Sequence, residues 1–230
     1  MENRWMQRDA SEVQSAFMQK VYAWMFSALL ITAGVAYYSA SSATIINMVF
    51  SSGYGIFPFI IAEFALVYYI SSRIDRISSQ TAKLLFFLYS ALNGVTMGII
   101  FLAYTSASIY YTFLITAVMF GIMSVYGMVT KKDLSSIGNI AFMALIGIII
   151  ASVVNIFLNS EALYWIISYA GVILFTGLTA YDTQKIKKMH SVMAHDEESG
   201  NKVAILGALT LYLDFINLFL FLLRFFGRRN

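Results

Sequence analysis

The sequence predicts an all-α integral membrane protein with seven transmembrane helices. The chain has 230 residues, of which 60% are hydrophobic and only 12% are charged, whereas soluble domains carry about 25% charged residues. Its apolar segments approach the roughly 20 residues that a helix needs to cross a bilayer. They do not alternate between apolar and polar residues as the strands of a membrane barrel do. These observations exclude a soluble globular domain and a disordered chain.

Seven apolar segments follow one another with short connections between them. In chain order they are Val21–Tyr38, Gly55–Ile70, Leu84–Tyr104, Ile109–Val129, Ile137–Leu158, Ala162–Tyr181 and Val203–Leu223. Each is apolar on every face, which indicates surrounding lipid, and a backbone in lipid must satisfy its own hydrogen bonds. We therefore expect residues 1–20 to form a cytoplasmic tail and residues 21–230 to form a single seven-helix membrane domain.

Individual segments carry further signals. The first segment is longer than the apolar core of a signal peptide and follows a tail with acidic residues, so we expect it to be retained. Small residues repeat every four positions on the third segment (Ser90, Gly94, Gly98) and on the fifth (Gly147, Ala151). Such ridges allow helices to approach closely in lipid. We therefore expect both ridges to be helix contacts.

The basic residues predict the orientation in the membrane. They occur in the amino-terminal tail and in the second, fourth and sixth connections, and they are absent from the first, third and fifth. By the positive-inside rule, the amino terminus and the even connections face the cytoplasm. Seven crossings would place Arg224, Arg228 and Arg229 outside, whereas a re-entrant last segment would place them inside. We favour seven crossings, and the side of the carboxyl terminus stays open.

Seven helices also suggest two inverted three-helix repeats around a central carboxyl-terminal helix, although no internal sequence similarity supports this arrangement. The absence of cysteine excludes disulfides, thiolate metal sites and cysteine nucleophiles. The net charge of +3 is small and argues against a nucleic-acid partner. No motif predicts a cofactor. His190 and His195 lie in a charged connection that we expect to be a solvated loop and not a metal site.

Three acidic residues lie within or at the end of predicted membrane segments: Glu63, Asp182 and Asp214. Asp214 shares a helix face with Thr210 and Asn217, and Asp182 ends a similar polar stripe on the sixth segment. Polar stripes in lipid are expected to face each other. The two aspartates therefore either only join helices by hydrogen bonds or form a functional pair. An amide side chain would join helices at a lower free-energy cost of burial.

A pair of carboxyls in a dry site does not readily ionise twice, so it can act as a proton switch. The same oxygens are ligands that Ca²⁺ prefers, but two carboxylates are too few for a tight closed site. A transient site for Ca²⁺ in an ion pathway fits better. Arg73 and Arg76 lie at the same predicted membrane level as Asp182, and either can pair with it or simply anchor the segment.

The carboxyl-terminal run Gly207–Arg224 and the stretch Gly177–Lys185 each contain one of the aspartates. Together with Met119–Leu134, which includes Lys131-Lys132-Asp133-Leu134, they resemble the Bax inhibitor-1 family. The resemblance extends from Tyr22 onward and is closest to the bacterial inner-membrane branch. The role of eukaryotic members in suppressing cell death is not expected of this chain.

This resemblance implies a seven-helix fold with two inverted trios around the last helix, and a pH-sensitive Ca²⁺ leak in the inner membrane. It implies that Asp182 and Asp214 are the pH sensor and gate. It also implies that Arg73, with Arg76 as a rival, latches Asp182. Glu63 matches an acidic residue of the second helix, and with Thr210 and Asn217 it is a candidate for the ion pathway.

Two other functions remain open. An intramembrane aspartyl protease also uses an aspartate pair, but such proteases carry Gly-x-Gly-Asp where this chain has Leu211-Tyr212-Leu213-Asp214. A membrane scaffold or regulator of other membrane proteins would use the aspartates only for packing. The expected function is not enzymatic, and the expected partners are Ca²⁺, protons and the lipid bilayer.

Overall fold

The fold is all-helical, and the computed structural model describes residues 2–50, 55–193 and 196–230. Side chains are described for residues 12–49, 55–189 and 196–230, so the side chains of His190 and His195 lie outside the described residues. The helices are α1 (Glu2–Ser41), α2 (Ala43–Phe50), α3 (Phe57–Arg73), α4 (Ser79–Ala103), α5 (Ser106–Val129), α6 (Ser135–Leu158), α7 (Glu161–Met193) and α8 (Glu197–Phe226).

Within those ranges, six helices are long and apolar enough to cross a membrane: α1, α4, α5, α6, α7 and α8. Every predicted segment overlaps one helix, with the second segment in α3. That helix has 17 residues, or about 26 Å, which is a little shorter than the hydrocarbon core of roughly 30 Å. The prediction of a helical membrane protein is therefore confirmed.

Two helices extend beyond their predicted membrane segments. The predicted tail is part of α1, and α7 continues to Met193 instead of ending near Tyr181. The charged connection Lys185–Lys202 is therefore largely helical, and the expectation of a loop there is wrong. Neither glycine nor proline interrupts residues 178–193, and Gln and Lys are good helix formers, so the helix continues past the apolar segment.

The chain divides into two compact units. Unit 1 contains α1 to α4, the end of α7 from Lys187, the first half of α8 as far as Tyr212, and Asn230. Unit 2 contains α5, α6, α7 as far as Ile186, and the second half of α8 from Leu213. The two halves of α8 thus belong to different units.

In unit 1, α4 packs on α1 and α3. A Cβ atom at Gly94 would lie 2.7 Å from Val35 Cβ and 2.8 Å from the Thr32 carbonyl oxygen. A Cβ atom at Gly98 would lie 3.0 Å from Ser39 Cβ. These distances leave no room for a side chain, so the predicted small-residue ridge of the third segment is confirmed as a helix contact.

In unit 2, the second predicted ridge does not form a contact. Gly147 is exposed and no atom lies within 4 Å of a Cβ built on it. Most large apolar side chains of α6 are also exposed, for example Phe142 and Phe157, as expected for a helix that faces lipid. The prediction that Gly147 packs against a neighbouring helix is wrong because spacing shows which residues share a face and not what that face meets.

The carboxyl end of α8 lies beside the third connection. The Thr105 amide donates to the Arg228 carbonyl at 2.9 Å, and Tyr104 forms an isolated backbone bridge with Arg229. Since α8 is a continuous helix of 30 residues, about 45 Å long, it is long enough to cross the bilayer completely. Its length is therefore consistent with the favoured seventh crossing, which stays a prediction.

Candidate functional site

Asp182 and Asp214 meet in unit 2. Asp182 lies on α7 and is 8% exposed, and Asp214 lies on α8 and is 4% exposed. The two carboxyls lie close enough for the charge of each to act on the other. A carboxylate is only a hydrogen-bond acceptor, so two neighbouring carboxyls can form a hydrogen bond only when one of them is protonated. The structure thus places near each other the two aspartates that the sequence singled out.

The surroundings of the pair leave one oxygen free. Asp214 Oδ2 is buried and has no hydrogen-bond partner among the described groups. A buried carboxyl oxygen without a donor is costly in a protein interior. Lys185 lies one helical turn after Asp182, attracts its charge and lies 5.7 Å from the centre of the Tyr181 ring. The unpaired Asp214 oxygen can accept a proton, a water molecule or a passing cation.

Close helix contacts fix the end of α7 that bears Asp182. A Cβ atom at Gly138 of α6 would collide with the Tyr181 ring, and one at Gly127 of α5 would collide with the Ala180 carbonyl. Both glycines therefore let α5 and α6 approach α7 within one turn of the aspartate. Substitution at Gly127 would displace the backbone of α7 next to Asp182, whereas substitution at Gly138 would first displace the Tyr181 ring.

Gln184 joins α7 to the connection between α5 and α6. Its Oε1 accepts from the Leu134 amide at 3.0 Å, and its Nε2 donates to the Lys132 carbonyl at 2.9 Å. The motif Lys131–Leu134 is thus held by the residue two positions after Asp182. Sequence reasoning missed this role, because Gln184 stands between the polar residues Asp182, Thr183 and Lys185 and no local pattern marks it as buried.

A stripe of hydroxyls on α5 was also missed. Its members recur at multiples of four residues and are buried: Ser108, Thr112, Thr116 and Ser124. The hydroxyls of Thr112 and Ser124, and that of Thr183 on α7, have no hydrogen-bond partner in the described part of the chain. Phe120 interrupts the stripe, and its ring lies 5.4 Å from that of Phe215. The row of hydroxyls on α5 is therefore interrupted at Phe120, which packs against Phe215, the residue after Asp214.

Glu63 belongs to a different polar cluster in unit 1. Its carboxylate accepts from Thr96 Oγ1 at 2.8 Å and from Asn93 Nδ2 at 3.3 Å. Asn93 Oδ1 in turn accepts from the Tyr212 hydroxyl at 3.0 Å. The side chain is half-buried, and its hydrogen bonds connect α3 with α4 and, through Tyr212, with α8.

The other predicted site residues make only local contacts. Arg73 is the last residue of α3 and its side chain is exposed. Thr210 donates to the Leu206 carbonyl at 3.0 Å, and Asn217 donates to the Leu213 carbonyl at 2.8 Å, both within α8. The latch role of Arg73 and the pathway roles of Thr210 and Asn217 remain predictions.

The described residues contain no group of three or more His, Cys, Asp or Glu side chains that could hold a metal ion. Ca²⁺ takes six to eight oxygen ligands in proteins, whereas the aspartate pair offers only four carboxyl oxygens. The arrangement supports, at most, a cation that passes through the site.

Comparison with known proteins identifies the family. A family model described as inhibitor of apoptosis-promoting Bax1 matches residues 14–230. This chain belongs to the Bax inhibitor-1 family. The inner membrane protein YbhL of Escherichia coli K12 is 54% identical over 215 residues, which cover 93% of this chain and 92% of YbhL.

Further relatives come from other bacteria. A protein of Borreliella burgdorferi is 49% identical over 218 residues, which cover 95% of this chain and 94% of the relative. A protein of Rickettsia prowazekii is 44% identical over 214 residues, which cover 93% of this chain and 90% of the relative. The family resemblance drawn from the two aspartate motifs is thereby confirmed along nearly the whole chain.

Proposed function

We propose that this member of the Bax inhibitor-1 family is a pH-sensitive Ca²⁺ leak in the bacterial inner membrane, gated by Asp182 and Asp214. The observation that carries the proposal is the burial of two neighbouring carboxyls, one of which has an oxygen without a hydrogen-bond partner among the described groups. The inner-membrane location is inferred from the name of YbhL. The amino terminus faces the cytoplasm, in line with the distribution of basic residues.

Loss of the shared proton opens the gate in this mechanism. One proton joins the two carboxyls at low pH and holds α7 to α8. When it leaves, two negative charges face each other, and at 4 Å with an effective dielectric constant of 20 they repel by roughly 4 kcal/mol. That repulsion separates the helices and exposes oxygen ligands to Ca²⁺. The leak is therefore expected to rise with pH.

The proposed architecture has seven crossings, with α3 as the shortest, and two inverted trios around α8. Its support is the composition of the two units, since unit 1 contains α1, α3 and α4 with one half of α8, and unit 2 contains α5 to α7 with the other half. In addition, 67% of the apolar stretch of α8 is buried, against 6–39% for the other five candidate spans.

Further residues complete the proposal. Arg73, with Arg76 as a rival, latches Asp182 in the closed state. Glu63, Thr210 and Asn217 contribute polar atoms to the ion pathway. The alternative is a scaffold in which the aspartates only join helices.

The test is Ca²⁺ flux into liposomes that contain the purified protein, measured from pH 5 to 8. We expect flux that rises with pH by up to about tenfold per unit on its steep side, since one proton controls it. Asp182→Asn and Asp214→Asn each remove the shared titration and should abolish the pH dependence. Asp133→Asn is the matched control, because it changes an exposed aspartate of the α5–α6 connection and should leave the profile unchanged.

Two outcomes would contradict the proposal. Flux that does not depend on the protein would rule out the leak and leave the scaffold, or an intramembrane protease that a peptide-cleavage assay can detect. A pH profile that survives Asp214→Asn would rule out the aspartate pair as the gate, because another group would then control the flux.

A further inference from the structure

A cavity of about 660 Å³ opens at one end of unit 2. The third and fifth connections and the carboxyl end of α8 surround it. Its charged lining residues are Glu161, Arg224 and Arg229, and Asn155, Tyr164 and Trp165 also line it. Small-molecule sites have volumes of roughly 300–1,000 Å³, so the cavity has the size of a ligand site.

Arg224 is positioned in this cavity without a carboxylate. Its guanidinium lies 5.1 Å from the centre of the Tyr164 ring and 4.7 Å from that of Phe221, and Nη1 donates to Ser168 Oγ at 3.4 Å. No acidic side chain in the described ranges forms an ion pair with it. A guanidinium has five donors in a planar fork that matches phosphate, so most of its donors remain for a ligand.

The location of the two arginines is unusual for a membrane protein. Apart from Arg228 beside them, the end of unit 2 that contains the third and fifth connections has no other basic residue. The positive-inside rule disfavours Arg224 and Arg229 there. An anionic ligand gives a physical reason for keeping both charges at that end.

The aromatic residues indicate where the ligand comes from. Tyr164 and Trp165 lie in the first two turns of α7, and Trp and Tyr prefer the level of the lipid headgroups. Glu161, the first residue of α7, places one exposed carboxylate on the same rim. The guanidinium groups of Arg224 and Arg229 complement a phosphate, and the Glu161 carboxylate complements an ammonium group on the same ligand.

We propose that this cavity binds a phosphoethanolamine group, with the phosphate at Arg224 and Arg229 and the ammonium at Glu161. The group can belong to a phosphatidylethanolamine lipid or to a soluble compound, and the aromatic rim assigns it to the lipid. This proposal depends neither on the aspartate pair nor on ion flux.

The test is native mass spectrometry of the full-length protein in detergent, titrated with dioleoylphosphatidylethanolamine, dioleoylphosphatidylcholine or soluble phosphoethanolamine. We expect the phosphatidylethanolamine lipid to bind at least about tenfold more tightly than either of the others. Arg229→Gln should weaken its binding about tenfold, because a charge-assisted hydrogen bond is lost. Arg228→Gln is the matched control, since it removes the neighbouring exposed charge but does not line the cavity, and its effect should stay below about twofold.

A second variant tests the ammonium assignment. Glu161→Gln should reduce the preference for phosphatidylethanolamine over phosphatidylcholine while both lipids still bind. Thermal unfolding without added lipid should match wild type for all three variants. Equal losses in Arg229→Gln and Arg228→Gln would overturn the site in favour of general surface charge, and binding of soluble phosphoethanolamine as tight as the lipid would overturn the lipid source.

Discussion

Tyr212 is the residue on which the polar cluster of unit 1 depends. Its side chain is completely buried, its hydroxyl donates to Asn93 Oδ1 at 3.0 Å, and it lies 2.6 Å from Thr32 Oγ1. Asn93 then donates to Glu63. Because no water is available in the hydrocarbon region, each of these polar groups needs a protein partner. A single tyrosine of α8 thus completes the hydrogen bonding of side chains from α1 and α4.

Removing this hydroxyl should destabilise the protein without changing the packing. In Tyr212→Phe the Asn93 oxygen loses its donor in a buried site, which costs about 1–3 kcal/mol. Thermal unfolding in detergent measures the loss. Tyr89→Phe is the control, since Tyr89 packs against the same ring at a centroid distance of 5.7 Å and no hydrogen bond of its hydroxyl contributes to the cluster. Equal melting temperatures for the two variants would contradict the role assigned to the hydroxyl.

At the scale of the elements, helix contacts in this protein depend on where glycine meets a neighbouring backbone. Gly94 brings α4 against α1, and no side chain fits between them. Gly147 lies on an equally apolar helix but faces open space. In lipid the contact is stabilised by close packing and not by exclusion of water, so the two glycines contribute very differently to stability.

The same substitution at both positions should therefore give opposite results. Gly94→Ala places a Cβ atom 2.7 Å from Val35 Cβ, and the resulting displacement of α1 should cost about 1–3 kcal/mol. Gly147→Ala meets no atom and should be neutral or stabilising by up to about 1 kcal/mol, because alanine favours the helix. Chemical or thermal unfolding of the two variants in one detergent tests this, and a loss of stability in Gly147→Ala would indicate a contact outside this chain.

At the scale of the whole molecule, the contacts within unit 2 lead to a prediction about sidedness in the membrane. The segment after α8 lies beside Thr105, and Arg229 lines the cavity that Ser160 also lines. We therefore predict that the third connection, the fifth connection and the carboxyl end share one side of the membrane. Arg224, Arg228 and Arg229 would then lie on the side opposite to Lys131 and Lys132.

The lack of native cysteine makes this arrangement directly testable. A single cysteine at Ser160 or Arg228 should react with a membrane-impermeant maleimide added to intact spheroplasts. A single cysteine at Asp133 should react only after the membrane is permeabilised. Labelling of the Ser160 and Arg228 variants from opposite sides would contradict the full crossing of α8.

Much of the fold could be predicted because its determinants are local. The length and uniform hydropathy of a segment decide that it is a membrane helix, and each predicted segment overlaps one. The spacing of Asp182 and Asp214 within polar stripes indicated that the two would meet, since a carboxyl in lipid needs a polar partner. By contrast, hydropathy could not locate the end of α7, because a helix continues into water when nothing in its sequence stops it.

The helical membrane class, the candidate aspartate pair and the family could all be inferred from the sequence. Only the three-dimensional packing shows that Gln184 holds the α5–α6 connection, that Glu63 is hydrogen-bonded within unit 1, and that Arg224 and Arg229 line a cavity. It also decided that Gly94 is a contact and Gly147 is not. The physical reason is that periodicity fixes which residues share a face of a helix, whereas the groups that meet that face come from segments distant in the chain.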